Sequence, residues 1–217
     1  MSQRKYTVSG SYSYHDYGIP DPPHEPMYLA RVVHSLHIAG ATTVLDAGCG
    51  DGSFTASLAK AGFRVYGLDL SNGGIDRARG RYPNIPFAIG SVYDDLRTAF
   101  NGVTQFDAIV AVEVIEHLYS PATFVTRVHE GLAPGGLAVV TTPYWGYLKN
   151  ISLALTNRID RSLTALWEGG HIKHWSRRTL TMLFEQHGFK VASFNGAGRR
   201  IPYLWNGMVM AFQKRAN

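Results

Sequence analysis

The stretch VLDAGCGDGSF, Val44 to Phe54, sets three glycines at 48, 50 and 52 directly after an apolar run that ends in Asp46. Upstream residues make the run TTVLDA (42–47), a β-prone apolar segment, so a buried strand is expected. Downstream, SFTASLAKAG (53–62) places Phe54, Leu58 and Ala61 at helical spacing and stops at Gly62. Strand, glycine loop and helix repeat the alternation that continues outward. FRVYGLDLS (63–71) reads as a second strand ending near Asp69, NGGIDRARGRYP (72–83) as a helix broken at Pro83, and IPFAIG (85–90) as a short strand. FDAIVAVEVIEHL (106–118) opens as a buried strand. PATFVTRVHEGLAPGG (121–136) puts Phe124, Val125, Val128 and Leu132 on one helical face, and LAVVTTP (137–143) is a fifth strand. SRRTLTMLFEQHGF (176–189) is a helix with Ser176 as N-cap and Gly188 as stop, before two strands in KVASFNG (190–196) and YLWNGMVMAFQ (203–213).

Alternating strands and helices predict an α/β fold, a doubly wound, mostly parallel sheet of seven strands with helices on both faces. The last two strands have no helix between them, so they are expected to pair antiparallel at an edge. The chain has 217 residues, 45% of them apolar and 17% charged, which suits one domain with a well-buried core. Within it, residues 1–40 read as an N-terminal cap segment and helix, 41–143 as the core, 144–175 as a helical insertion and 176–217 as the closing helix and strands. No run is apolar enough to span a bilayer, and the N-terminal MSQRKYTVSGSYSYHDYG lacks the apolar region of a secretory signal. The single cysteine, Cys49, permits no intrachain disulfide and fits a reducing cytoplasm. The net charge of +5 is uneven: residues 41–135 carry −3 and residues 136–217 carry +8. The basic half could face an anionic substrate, a membrane surface or nucleic acid, or be a solvated face, which composition alone favours.

Ligands of such sheets bind at the C-terminal strand ends, where the glycine loop lies. Glycines there let the backbone approach a ligand with no Cβ in the way. A dinucleotide site would space them G-x-G-x-x-G, whereas this loop is G-x-G-x-G. Asp46 would set a carboxylate beside a pyrophosphate, so it suits a ligand carrying positive charge. Asp69, at the end of the second strand, can accept both hydroxyls of a ribose.

VLDAGCGDGSF, VYGLDLS, FDAIVAVEVIEHL and GLAPGGLAVVTTP, in this order, resemble the successive motifs of class I S-adenosylmethionine-dependent methyltransferases. The resemblance is strong from Thr43 to Pro143 and looser over the final helix and strands. EVIEH (113–117) and GGHIKHWS (169–176) are similar to the small-molecule branch that includes the ubiquinone-biosynthesis O-methyltransferases. The resemblance implies a Rossmann-like fold with S-adenosylmethionine, a sulfonium cation bearing an ammonium group, as cofactor. It implies that the loop from Asp46 through Gly48, Cys49, Gly50 and Gly52 cradles the methionine part, with Asp46 ordering the loop or meeting the ammonium. It implies that Asp69 holds the ribose, that Leu70 packs on the adenine, that Ser91 and Val92 line the adenine edge, and that Val112 and Glu113 lie beside the methionine end. Many relatives carry Asp where this chain has Ser91; Asp94 is the lesser alternative.

Methyl transfer is one in-line displacement, so the protein chiefly aligns donor and acceptor. A hydroxyl or phenol acceptor must also lose a proton, and a histidine titrating near neutrality is a natural base. Of nine histidines, His117 follows the fourth strand, and His171 and His174 follow the insertion. His171 and His174 with Glu113 or Glu116 could hold a divalent ion, but the spacing is common and no metal is expected. Tyr12, Tyr14 and His15 could line the site from the N-terminal segment, as could Tyr144, Trp145 and Trp175 around the insertion. In the insertion Leu148, Ile151, Leu155, Ile159, Leu163 and Leu166 form a helical stripe, with Lys149, Arg158 and Arg161 off it. The stripe can pack on the core, cap the active site or form a homodimer face, or touch a membrane and admit a lipid-tailed substrate; a lid is favoured over a membrane contact.

The expected activity is O-methylation of a small molecule, with anionic and lipid-tailed acceptors among the candidates. N- or C-methylation is the alternative, followed by RNA methylation, then a non-catalytic cofactor-binding protein or an NAD-dependent oxidoreductase. Base-modifying methyltransferases often carry N/D-P-P-Y/F after the fourth strand, where this chain has VEVIEH; TTPYW (141–145) follows the fifth. No nucleic-acid partner is therefore expected.

Overall fold

The computed structural model describes residues 25–163 and 170–215. Seven strands form one sheet in the order β3-β2-β1-β4-β5-β7-β6. They are β1 (Thr43–Ala47), β2 (Arg64–Asp69), β3 (Phe87–Ile89), β4 (Phe106–Val112), β5 (Leu132–Pro143), β6 (Phe189–Ala197) and β7 (Gly207–Lys214). β1 to β5 pair in parallel, and β7 runs antiparallel to both β5 and β6. The last two strands do pair antiparallel, but β7 slots between β5 and β6, which leaves β6 as the edge. Its sequence shows why: Met208 to Phe212 are all buried, as a strand with neighbours on both sides and helices on both faces requires.

Side chains alternate between two cores with the period of a strand. Leu45, Ile109, Ala138, Val140, Met208 and Met210 face α4 (Pro121–Gly131) and α7 (Arg177–Glu185). Their neighbours Val44, Ala108, Val110, Val139 and Val209 face α1 (Glu25–Ile38) and α2 (Ser53–Lys60), while α3 (Asn72–Arg81) packs through Ile75 and Ala78 on Phe87 of β3. Tyr28, Val32 and Leu36 on α1 bury one helical face against that second side. On the first side Phe184 stacks on Phe212 with centroids 4.0 Å apart, and burying such a ring stabilises the fold by roughly 2–3 kcal/mol.

Local chemistry sets the helix ends. Ser176 caps α7: its hydroxyl accepts from the Thr179 amide, and the Thr179 hydroxyl accepts from the Ser176 amide. Gly188 follows α7 at φ +84°. α4 ends at Gly131, four residues before the expected glycine pair Gly135–Gly136. Leu132 is already drawn into β5 by pairing with Phe106, so tertiary pairing overrides the helical pattern there.

The insertion departs most from expectation. Its stripe is not one helix but two, α5 (Tyr147–Leu155) and α6 (Ile159–Leu163), separated where Asn157 takes φ +53°. The stripe is not packed on the core: Leu155 is 83% exposed, and Tyr147, Leu148, Ile151 and Ile159 are exposed too. Leu166 lies outside the described residues. Among the described residues no helix is long and apolar enough to cross a membrane.

Candidate active site

β1, β2 and β4 lie side by side and parallel, so their C-terminal ends line one edge of the sheet. The glycine loop leaves β1 there and is pinned to β2: the amides of Gly48 and Cys49 both donate to the Leu68 carbonyl, at 2.7 and 3.0 Å. Gly48 sits at φ +87°, and a Cβ on it would lie 2.5 Å from a methyl of Val114, just beyond β4. A Cβ on Gly52, at φ +78°, would strike Phe87 and Ala78. At these two positions the missing Cβ therefore accommodates the protein's own chain. Gly48→Ala should lower stability by about 2–4 kcal/mol, from left-handed backbone strain plus overpacking, as read by urea denaturation; a loss under about 0.5 kcal/mol would contradict this packing.

The loop has little to offer a phosphate. Its Gly50 amide donates to Asp69 at 2.8 Å and its Gly52 amide to the Cys49 carbonyl. The Ser53 amide at the start of α2 donates to the side chain of Asp51, which is also ion-paired with Arg81. The amides that would cradle a pyrophosphate are thus engaged, with two carboxylates beside them. Asp46 is buried and accepts from the Thr55 hydroxyl at 2.7 Å, so it fastens the loop to α2. A ligand with positive charge suits this acid-lined turn.

At the end of β2, Asp69 accepts from the Gly50 amide on one oxygen and the Ser71 amide on the other, both at 2.8 Å. Burial pushes its carboxyl up, against the lowering effect of these amides. Next to it Leu70 is 61% exposed. A carboxylate followed by a bare apolar side chain is what a ribose diol followed by a purine requires. Ser91 and Asp94 close a turn at the next strand end: the Ser91 amide donates to Asp94, and the Ser91 hydroxyl accepts from the Tyr93 amide. Val92 packs against the core. Cys49 packs with Ile75, Ala78 and Phe87, and burial pushes its thiol far up, so no thiolate forms there.

The other side of the site is built on the end of β4. Val112 is half-buried, and Glu113 takes φ +54°, a strained conformation for a residue with a Cβ. Thr141 on β5 holds it there: the Glu113 amide donates to the Thr141 hydroxyl at 3.1 Å, and that hydroxyl donates back to the Glu113 carboxylate at 3.3 Å. The buried Tyr28 phenol on α1 also bonds the Glu113 carboxylate. Burial raises the Glu113 carboxyl. Burial and then the charge of Glu113 raise that of Glu116.

Glu116 is 1% exposed, with the Thr142 hydroxyl and the Glu113 carboxyl beside its own carboxyl. It lies on a single 3-10 turn, Ile115–His117, onto which the segment after the insertion is clamped. The amides of Ile172 and Lys173 both donate to the Glu116 carbonyl at 2.9 Å, and the Trp175 indole donates to the Ile115 carbonyl. The clamp brings the ring of His171 to 5.1 Å from that of His117. Ligand atoms of Glu116, His117 and His171 all lie within 4.8 Å of one another. His174, the other half of the HxxH spacing, instead stacks on Trp145 at 4.3 Å, and burial lowers its pKa. Of the aromatic residues expected around the site, Tyr144 and Trp175 are buried in the core, and Trp145 keeps exposed surface. Tyr12, Tyr14 and His15 lie outside the described residues.

Sequence reading missed Tyr28, Thr141 and Lys149 as neighbours of Glu113, because each reaches it from a separate element. Lys149 donates to the carbonyls of Tyr144 and Asn206, and burial and the nearby Arg199 lower its ammonium to about 8. An unfolded chain holds that proton up to its ordinary value of 10.5. Between these values the unfolded state binds more protons, so Lys149 makes stability rise with pH. The difference in urea midpoint between the native chain and Lys149→Met should shift toward the native chain from pH 8 to pH 10; a difference constant with pH would contradict it.

Known proteins bear on this geometry. The methyltransferase-domain family model matches residues 24–193. A protein of Mycolicibacterium smegmatis named "Probable S-adenosylmethionine-dependent methyltransferase" is 31% identical over 180 residues, 81% of this chain and 62% of that protein. A ubiquinone biosynthesis O-methyltransferase of Bradyrhizobium diazoefficiens is 35% identical over 115 residues, 52% of this chain and 44% of its own length. The chain thus spans less than two thirds of these relatives. The structure of magnesium protoporphyrin IX methyltransferase from Synechocystis, with bound SAH, matches at a TM-score of 0.66 and 19% identity, covering 95% of this chain and 90% of that one. Over most of its length, then, this chain belongs to the methyltransferase-domain family of the S-adenosylmethionine-dependent class, with S-adenosylmethionine as its cofactor.

Proposed function

We propose that this domain transfers the methyl group of S-adenosylmethionine to a hydroxyl or phenol of a small molecule. The observation that carries the reading is the cluster of Glu116, His117 and His171 just beyond the end of β4, the strand next to the one that carries the cofactor loop. A hydroxyl needs a proton taken from it as its oxygen attacks, and an amine at neutral pH needs less help. The oxygen–carbon bond forms as the sulfur–carbon bond breaks, and the electron pair of that bond stays on sulfur. The imidazoles of His117 and His171 manage the acceptor's proton, and Glu113 lies beside the methionine end of the cofactor. The ubiquinone-biosynthesis relatives support O-methylation. The exposed Tyr147, Leu148 and Leu155 on α5 support an acceptor with an apolar body.

The test is turnover with methyl-labelled cofactor against phenols, aliphatic alcohols and amines in parallel, with products identified by mass spectrometry. Label on a phenol or alcohol oxygen is the expected result. Turnover of amines alone would overturn the assignment.

A further inference from the structure

We propose that Lys149 and Arg199, set beside Trp145, form a subsite for the carboxylate of an aromatic acceptor. The inference rests on the proposed O-methylation for the phenol end of that molecule and adds its other end. Lys149 lies in the first turn of α5, and two carbonyls hold its ammonium, that of Tyr144 at 2.8 Å and that of Asn206 at 3.3 Å. An ammonium has three N–H groups, so one is left for a ligand. Arg199 comes from the connection between β6 and β7, is exposed, and lies close enough for its charge to act on Lys149.

Among the described residues neither side chain takes part in an ion pair. Two cations side by side repel, and an anion between them removes the repulsion. Glu113 also acts on Lys149, but it offsets at most one of the two charges. α5 has no side-chain cap and no acid in its first turn, so the partial positive charge of its N-terminus adds to theirs. A guanidinium fork and an ammonium are suited to a carboxylate.

The acceptor's ring has a wall in Trp145, whose centroid is 5.8 Å from the Lys149 ammonium. The Trp145 amide donates to the Trp175 carbonyl at 3.0 Å, and its ring is half-buried, so part of it is open to a ligand. His174 stacks on it, and the same 171–175 segment brings His171 to His117. Three residues of extended chain, His171 to His174, span at most about 11 Å. A single ring against Trp145 can thus present its hydroxyl to the histidine pair and its carboxylate to Lys149 and Arg199.

The experiment reads acceptor binding apart from turnover. The native chain, saturated with S-adenosylhomocysteine, is titrated by calorimetry with para-hydroxyphenylacetate and para-coumarate. It is titrated in parallel with their methyl esters, which keep ring and hydroxyl and lose the charge. At neutral pH both acids should bind at least about tenfold more tightly than their esters, as hydrogen bonds to a charged group require. In Lys149→Met and in Arg199→Gln that ratio should fall to within about threefold of one. Arg199 is exposed, so its variant keeps the test independent of folding. Equal affinity for acids and esters in the native chain, or an unchanged ratio in both variants, overturns the subsite. Methyl-labelled cofactor is then supplied with the same compounds. Acids that bind tightly but are never methylated on oxygen refute the O-methylation and not the subsite. Absence of S-adenosylhomocysteine binding refutes the methyltransferase reading.

Discussion

Replacing His171 with alanine is expected to lower turnover by about 10²- to 10⁴-fold, the range for a group that handles a proton in the transition state. Cofactor affinity should change by less than about threefold, because His171 is held against the turn after β4, whereas Asp46 and Asp69 belong to β1 and β2. His117→Ala should behave alike, since its ring faces that of His171 at 5.1 Å. The segment carrying His171 is anchored through backbone amides and the Trp175 indole, so removing the imidazole leaves the clamp in place. His174→Ala, which loses only a stack on Trp145, should keep most of the activity. If both His117→Ala and His171→Ala retain full turnover across pH, the cluster has no part in the chemistry.

The second large effect belongs to Asp69→Ala. The carboxylate receives the Gly50 and Ser71 amides, and we propose that it also accepts from the ribose of the cofactor. Hydrogen bonds to a charged group contribute about 1.5–3 kcal/mol each, so cofactor affinity should fall about 10- to 150-fold. Part of the loss comes from the loop, because the Gly50 amide is left without its acceptor. A melting curve separates the two: the free protein loses stability, and added cofactor restores less of it than in the native chain. Unchanged affinity by calorimetry would remove Asp69 from the cofactor site.

How much of this could be read from the chain depends on how local each feature is. The β1–loop–α2 unit is legible because its strand, glycines and helix are consecutive, and its pinning to Leu68 uses only the next strand. The cap at Ser176 is legible for the same reason. Why the loop disfavours a pyrophosphate is only partly so. Asp46 signals it, but the capture of the Ser53 amide by Asp51 needs the fold. The position of β7 is not local at all: an antiparallel pair can place either strand at the edge, and burial on both faces of Met208–Phe212 settles the order.

The acceptor side is the least legible. The HxxH spacing pairs His171 with His174, yet the clamp on Glu116 turns His171 to His117, and Trp145 takes His174. Tyr28 reaches Glu113 from α1 across more than eighty positions of sequence, with its hydroxyl packed against Gly207, where any Cβ would collide with it. The insertion reads as one continuous stripe because period alone does not register the left-handed Asn157 that splits it.

The most direct test of the account is a calorimetric titration of the purified chain with S-adenosylmethionine, S-adenosylhomocysteine and NAD in parallel. The first two should bind and NAD should not, since the loop amides are engaged and carboxylates line the turn. Binding of NAD alone would contradict it, and the assignments of Asp46, Asp69 and the histidine cluster would fall with it.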